Sequence, residues 1–505
     1  MSLTSPLFFL FLVFTLLIYF TLPRRYQWFV LLAASYLFYA TGGIKLTFCL
    51  LLTTITTFFA GLLLTRLEKK NHKKLVLALV LLFNFGLLAF LKYYNFAAAG
   101  LNIFLANAGY TLPTFSLLLP LGISFYTFQS AGYLIDLYRG KYRAETNLAK
   151  FALFVSFFPQ VIQGPISRFD QLAPQLTAPH DLDYDRLKYG IQLMLWGYFK
   201  KIIIADRAVV VVNKVIDNFA AYPGSLIAIA VFFYCLQIYC DFSGGIDIVR
   251  GAAQMLGINL RENFRRPYFA TSLADFWRRW HLSLGDWMRD YLFFPLSLSK
   301  PFYKLGKKTR KLFKGKLGKI IPTSLASFIV FFTIGIWHGA NLKYIAFGIY
   351  NGLIISFSIV IEPYWNRLLQ KLGINPEGRF WLVVQVLNTN LLVFCGRYFT
   401  RAASLGAALQ MLKKTFFSFQ PNAVSVQALL NLGLTKTDYL IVLLGSLVIL
   451  GVGFAQEKGK AIRKTLEQKN WAVQWSLLMA MLLVLVFFGI YRQGFIASEF
   501  IYQQF

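Results

Sequence analysis

The sequence predicts an all-α, polytopic membrane protein, and three observations lead there. Hydrophobic residues make up 57% of the 505 positions and charged residues only 14%, with a mean hydropathy of +0.57. Ordinary soluble domains carry roughly 25% charged residues. Apolar runs long enough to cross a bilayer recur along the whole chain, which leaves no room for a large soluble domain. Finally, 51 Lys and Arg stand against 21 Asp and Glu, a net charge of +30. The basic residues gather in short stretches between the apolar runs, as cytoplasmic loops do, where they can also meet anionic headgroups. No soluble basic face interleaved with polar surface is present, so nucleic acid is not an expected partner.

Charge bookkeeping orders the spans. The first run, Leu3 to Leu22, has no Lys or Arg before it and is followed by Arg24 and Arg25 with no small-residue cleavage site. It reads as a first span with an external N-terminus and not as a cleaved signal peptide. Spans at about 26–41 and 44–65 lead to the cytoplasmic cluster Lys69, Lys70, Lys73 and Lys74. A span at about 75–95 opens into the uncharged stretch Ala97–Thr114, expected to be an external loop, and Lys92 at its end is expected to snorkel to the surface. The span 115–137 returns to cytoplasmic Arg139, Lys141 and Arg143.

Phe151–Ile162 is apolar but short, and Gly164-Pro165 breaks it; a re-entrant segment buried in protein fits. Spans at about 187–204 and 224–245 follow. Asp275 to Phe294 cannot span, and with Phe276, Trp280, Leu284 and Trp287 near one face it reads as an amphipathic helix at the inner surface. Residues 300–320 carry nine basic residues and no acid, and are placed in the cytoplasm. Spans at about 321–338, 342–362, 380–396, 439–455 and 471–491, with an external stretch 398–437 of short surface helices, complete a set of about twelve. Both termini are expected outside.

Four histidines are present, and two of them, His281 and His338, lie where a titratable imidazole is expensive. Ionisable groups in membrane segments usually face a cavity or pathway, and an imidazole titrates near neutral pH, which suits a general base. The competing reading for His338 is an interfacial histidine that caps its helix. Asp241 and Asp247 need partners at depth, but their spacing is a weak cation signal and no metal is assigned. Cys49, Cys235, Cys240 and Cys395 sit in or beside apolar runs and read as small buried hydrophobes. No nucleophile elbow or phosphate-binding glycine loop is apparent. Two histidines without a nearby nucleophile favour direct transfer to an acceptor hydroxyl.

Five stretches carry a resemblance: "LGISFYTFQSAGYLIDLYRGK" at 121–141, "FFPQVIQGPISRF" at 157–169, "GYFKKIIIADR" at 197–207, "LQIYCDFSGGIDIVRGAAQMLGINLRENFRRPYFATSLADFWRRWHLSLGDWMRDYLFFPL" at 236–296, and "IWHGAN" at 336–341. Together they resemble the membrane-bound O-acyltransferase family, and within it the branch of alginate O-acetyltransferase membrane subunits, related to the teichoic-acid D-alanyl transfer proteins. The length and the "GYFKK" stretch lean toward the alginate-type branch. The resemblance implies one membrane-embedded domain over 1–505, with peripheral N-terminal spans 1–114, a family core 115–362 and C-terminal spans 363–505. It implies a ring of helices around a central tunnel, in the bacterial cytoplasmic membrane.

The implied activity is an acyl, most simply acetyl, transfer from a cytoplasmic thioester toward an exported polysaccharide. No tightly bound cofactor is implied; the donor substrate is acetyl-coenzyme A or another acyl thioester, such as a carrier protein's. An extracytoplasmic acetyltransferase partner is implied as well. His338 matches the family's base and His281 its second, helix-borne histidine. Trp277, Trp280, Trp337, Gln237, Asp241, Ser243 and Asn341 are implied along the substrate tunnel, with Asp241 and Gln237 hydrogen-bonding to the histidines. The topology puts His338 near the outer end of its span and His281 on an inner-surface helix, so a thinned centre is needed for them to cooperate. After "FFPL" the chain continues Ser297-Leu298-Ser299-Lys300 where the alginate-type pattern has Gly-Gly and an Asn-Arg stretch, which leaves coenzyme A and a carrier protein both open. D-alanyl transfer to teichoic acid is the alternative acyltransfer. A transporter or lipid-linked-sugar flippase is the alternative of another class, and it would tolerate His338→Ala. A scaffold anchoring a secreted enzyme would tolerate loss of both histidines.

Overall fold

Helices follow one another along the computed structural model, which describes residues 1–117, 119–313, 316–490 and 500. Among these, eight helices are long and apolar enough to cross a membrane: Ile44–Arg66, Lys70–Ala108, Gly224–Met255, Leu317–His338, Leu342–Lys371, Arg379–Arg401, Lys436–Glu457 and Trp471–Phe488. The other four expected crossings are also helical but shorter: Pro6–Thr21, Gln27–Ala40, Ile123–Tyr138 and Tyr184–Tyr198. A 16-residue helix spans roughly 24 Å at 1.5 Å per residue, short of a bilayer core of about 30 Å. Ile123–Tyr138 is nonetheless buried along almost its whole length, so protein surrounds it.

Two expected loops differ. The Lys70–Leu105 helix runs on through residues 97–105 of Ala97–Thr114, expected to be an external loop, because this uncharged stretch opens on alanines that extend a helix readily. Residues 300–312 form a helix, Lys300–Leu312, packed on the Leu317–His338 helix. Over 398–437, short helices Leu405–Phe417 and Val426–Leu430 appear as expected.

The Gly224–Met255 helix is the centre of the packing. It contacts Tyr184–Tyr198, Asp206–Ile216, Arg379–Arg401 and Leu405–Phe417. Small residues let the backbones touch: a Cβ on Gly197 would sit 2.5 Å from the Gly244 carbonyl oxygen, and one on Gly251 2.5 Å from that of Gly190. A second close approach joins Leu317–His338 to Leu342–Lys371, where a Cβ on Gly335 would meet the Tyr344 carbonyl at 2.6 Å. That hairpin fixes where the 317–338 helix delivers its last residue, His338.

Residues 148–167 form two short helices, Leu148–Ser156 and Phe158–Val161, and an irregular tail, with Phe151 to Ser167 buried in protein. Irregular backbone is tolerated at membrane depth in that setting. The expected amphipathic helix of 275–294 is instead two short helices, Leu273–Arg279 and Leu282–Met288. They are separated at Trp280-His281, where His281 adopts φ +49, one of only two non-glycine residues with positive φ among those described. A single helix cannot pass through a left-handed residue. The apolar face expected from the sequence is buried, at Phe276, Trp280, Leu284 and Trp287 alike.

Candidate active site

The break at His281 is held by local pairing. Phe264 and Trp280 form an isolated antiparallel bridge, Arg265 N donates to the Arg279 carbonyl at 2.9 Å, and Leu282 N donates to the Asn263 carbonyl at 3.0 Å. The Asn263 side-chain oxygen accepts from Ser283 N at 2.9 Å and faces His281 Nδ1 at 3.3 Å. Because that oxygen only accepts, Nδ1 carries the proton and Nε2 is left with the lone pair. Ser283 Oγ in turn accepts from Ile166 N at 3.0 Å, which ties the 157–169 stretch to the break. His281 is 2% exposed and lies between the rings of Phe242 at 4.9 Å, Phe125 at 6.2 Å and Trp337 at 6.4 Å. It lies between the spanning helices.

His338 closes the Leu317–His338 helix. Two groups from the Lys70–Leu105 helix satisfy that helix's last carbonyls: Lys92 Nζ donates to the Trp337 carbonyl at 2.6 Å and Tyr93 Oη to that of Ile336 at 2.5 Å. Lys92 thus turns inward onto a helix C-terminus, where a cation is favoured, and does not snorkel to the surface as expected. The His338 ring packs on Trp337 at 5.0 Å, Phe347 at 5.7 Å and Tyr344 at 6.1 Å. It lines a cavity of about 20 Å³ together with Tyr234, Trp277, Trp280 and Arg397.

The two histidines therefore meet across one ring, Trp337, and the separation implied by topology is resolved. His281 is not helix-borne; it occupies the break, and the break is what turns it inward. Trp280 and Trp277 do line the His338 cavity, and Trp277 Nε1 donates to Asn351 Oδ1 at 3.0 Å. Trp337 lies between the imidazoles instead. Gln237 is buried one residue from Ile238, which lines the cavity, and its Oε1 has no hydrogen-bond partner among the described residues.

The remaining expected site residues serve other contacts. Asp241 accepts from Lys201 Nζ at 2.7 Å, and Lys201 also pairs with Asp206 at 3.0 Å. Ser243 accepts from Lys200 Nζ at 2.9 Å, and Lys200 pairs with Asp247 at 2.7 Å; Ser243 lines a separate groove of about 620 Å³. Lysine ammonium groups thus stand beside both aspartates that looked like a cation site. Asn341 caps the Leu342–Lys371 helix, accepting from Lys343 N at 3.1 Å. Helix capping is what Asn does best at this position.

A second cavity, of about 930 Å³, opens at the other end of the Leu282–Met288 helix. Arg139, Lys141, Arg168, Arg261 and Arg289 line it with Asp136, Asp286 and Asp290. Arg168 pairs with Asp290 at 2.7 Å, and Tyr291 donates to Asp136 at 2.8 Å. From His281 to Arg289 along the helix is roughly 12 Å. Three stretches noted in the sequence, 121–141, 157–169 and 236–296, supply this mouth and the wall behind it.

Asn263, Phe242 and Arg397 were not singled out in the sequence. Asn263 and Phe242 lie inside the 236–296 stretch without a distinguishing signal of their own. Arg397 had one, a basic residue in an apolar helix. The expected span 380–396 ended one residue before it, whereas the helix continues to Arg401.

The comparisons with known proteins fit this geometry. The family described as MBOAT, membrane-bound O-acyltransferase, matches residues 143–396. The chain is 34% identical over 412 residues to the "Probable alginate O-acetylase AlgI" of Pseudomonas syringae pv. tomato, covering 80% of this chain and 72% of that one. It is 30% identical to the "Peptidoglycan O-acetyltransferase" of Helicobacter pylori, over 76% of this chain and 72% of the relative. It is 27% identical to the "Teichoic acid D-alanyltransferase" of Bacillus subtilis, over 57% of this chain and 69% of that one. With both histidines and every resembling stretch inside or flanking the matched region, this chain belongs to the membrane-bound O-acyltransferase family and is a multi-pass membrane O-acyltransferase.

Proposed function

We propose that this enzyme moves an acetyl group from a cytoplasmic thioester across the bacterial cytoplasmic membrane, for O-acetylation of an exported, alginate-like polysaccharide. One observation carries the reading: His281 and His338, from segments far apart in the chain, pack against the same Trp337 ring. His338 is the general base. It takes the proton of the acceptor hydroxyl as the oxygen attacks the thioester carbonyl, and returns it to the departing thiolate. His281, with its tautomer set by Asn263, orients or relays. The cavity rich in arginine and lysine is the donor's cytoplasmic entry, because its excess of cations suits the phosphates of coenzyme A or an acidic carrier. An acetyltransferase partner on the outer face takes up the acyl group.

Acetyl transfer is preferred to D-alanyl transfer because the relatives that match at 30% identity or more over three quarters of the chain are named for O-acetylation. The test is turnover of radiolabelled acetyl-coenzyme A by the purified protein in detergent, beside His338→Ala. Label release or transfer that disappears in the variant supports donor and base together. No turnover by either protein directs the search to a carrier-protein donor, and equal turnover by both removes His338 as the base.

A further inference from the structure

Arg397 lies four residues before the end of the Arg379–Arg401 helix, deep in an apolar segment. Its side chain is buried, at 3% exposure, and it forms no ion pair among the described residues. A charge placed there is costly and is kept for a reason. The face of the guanidinium is used: it stacks on Trp280 at 4.7 Å and lies over Phe276 at 5.9 Å. Stacking occupies the face of the group and leaves its in-plane N–H groups available. Two of those nitrogens, Nε and Nη2, are buried with no hydrogen-bond partner among the described residues, while the guanidinium also bonds the buried Cys235 thiol. An unmatched buried donor costs its full desolvation, so an arrangement that leaves two of them anticipates an acceptor. Arg397 also lines the same small cavity as His338, of about 20 Å³, room for one water-sized group.

We infer that Arg397 is a catalytic residue of the acyl transfer: its free guanidinium edge binds the carbonyl oxygen of the thioester as that oxygen becomes an oxyanion. The inference rests on the acyl-transfer reading above and on His338 as base. In the first half of the reaction the acceptor oxygen bonds to the carbonyl carbon, its proton passes to His338, and the carbonyl π electrons move onto the oxygen. That negative oxygen meets the Arg397 N–H donors. In the second half the C=O double bond re-forms, the C–S bond breaks, and the thiolate takes the proton from the His338 imidazolium. A stacked cation with vacant donors is pre-organised for charge that appears only in the transition state, which is where such stabilisation accelerates the reaction.

The experiment measures kcat and KM for acetyl-coenzyme A with wild type, Arg397→Met and Arg397→Lys, beside thermal melting of each. Met keeps much of the apolar stem and removes the donors. The expected result is a fall in kcat of about 10²–10³-fold for Arg397→Met with KM within a few-fold of wild type. Arg397→Lys keeps the charge on a different geometry and should fall between the two, about tenfold below wild type. A kcat for Arg397→Met within threefold of wild type overturns the assignment, and so does a change confined to KM, which marks ground-state binding. Should Arg397→Met fail to fold, Arg397→Lys decides, and its full activity overturns the assignment. Absence of turnover by the wild type is a different failure, of the acetyl-coenzyme A reading itself.

Discussion

Two polar clusters use the Gly224–Met255 helix and treat buried charge in opposite ways. Around Asp241 and Asp247, every charge is matched: Lys201 bridges Asp241 and Asp206, and Lys200 joins Asp247 to Ser243. Both lysines come from the π-helical turn Phe199–Ala205, which places two successive side chains on the same neighbour. Around Tyr234 and Ile238 the polar groups are incompletely matched. Arg397 Nε and Nη2 and Gln237 Oε1 have no hydrogen-bond partner among the described residues. A matched network is what a scaffold needs, since a lone buried charge is strongly destabilising. Vacant donors and acceptors beside two histidines are what a substrate can fill. The sequence signal was the same in both places, polar residues at depth; the matching separates them.

Four perturbations sharpen that contrast. The largest effect is expected from His338→Ala, a loss of about 10²–10⁴-fold in turnover at unchanged melting temperature, since general-base catalysis contributes that range. Melting and turnover that fall together would make His338 a packing residue. Next is Lys201→Met, which removes the ammonium that Asp206 and Asp241 share and should cost about 3–5 kcal/mol of stability, read by thermal unfolding in detergent. Adding Asp241→Asn should recover part of that loss, and a wild-type melt for Lys201→Met alone would refute the scaffold role.

A smaller effect is expected from Asn341→Ala. Removal of its helix cap should cost about 1 kcal/mol with kcat retained. A tenfold fall in kcat at intact stability would return Asn341 to the substrate path. The smallest belongs to Lys92→Met, about 0.3–1 kcal/mol from the lost cation at the helix end that carries His338. A gain in stability would show that burying the ammonium outweighs its hydrogen bond to the Trp337 carbonyl.

Much of the architecture was legible from hydropathy alone. All twelve expected crossings are helices, and most boundaries fall within a few residues, because a chain in lipid must satisfy its backbone locally. The errors cluster at charges. Ending a span before Arg397, and sending Lys92 to the surface, both assume that a charge marks the membrane boundary. Each of these cations finds a use inside, one stacked on Trp280 and the other on a helix C-terminus. The amphipathic face of 275–294 was visible in its period, but the break at His281 was not. A positive φ at a histidine is enforced by pairing with residues 263–265, which no local pattern reports.

The sequence by itself determined an all-α membrane protein, the family, and the two histidines worth following, since composition, apolar period and motif are all local properties. Which buried polar groups serve the site and which serve the scaffold was decided only by tertiary structure. The fold sets Lys201 beside Asp241 and Lys200 beside Ser243, and it brings Arg397 to the His338 cavity. The physical reason is that the cost of a buried charge depends on its partner. In this chain those partners are 40 residues away for Lys201 and Asp241 and, for Arg397 and Trp280, on segments that only the folded protein brings together.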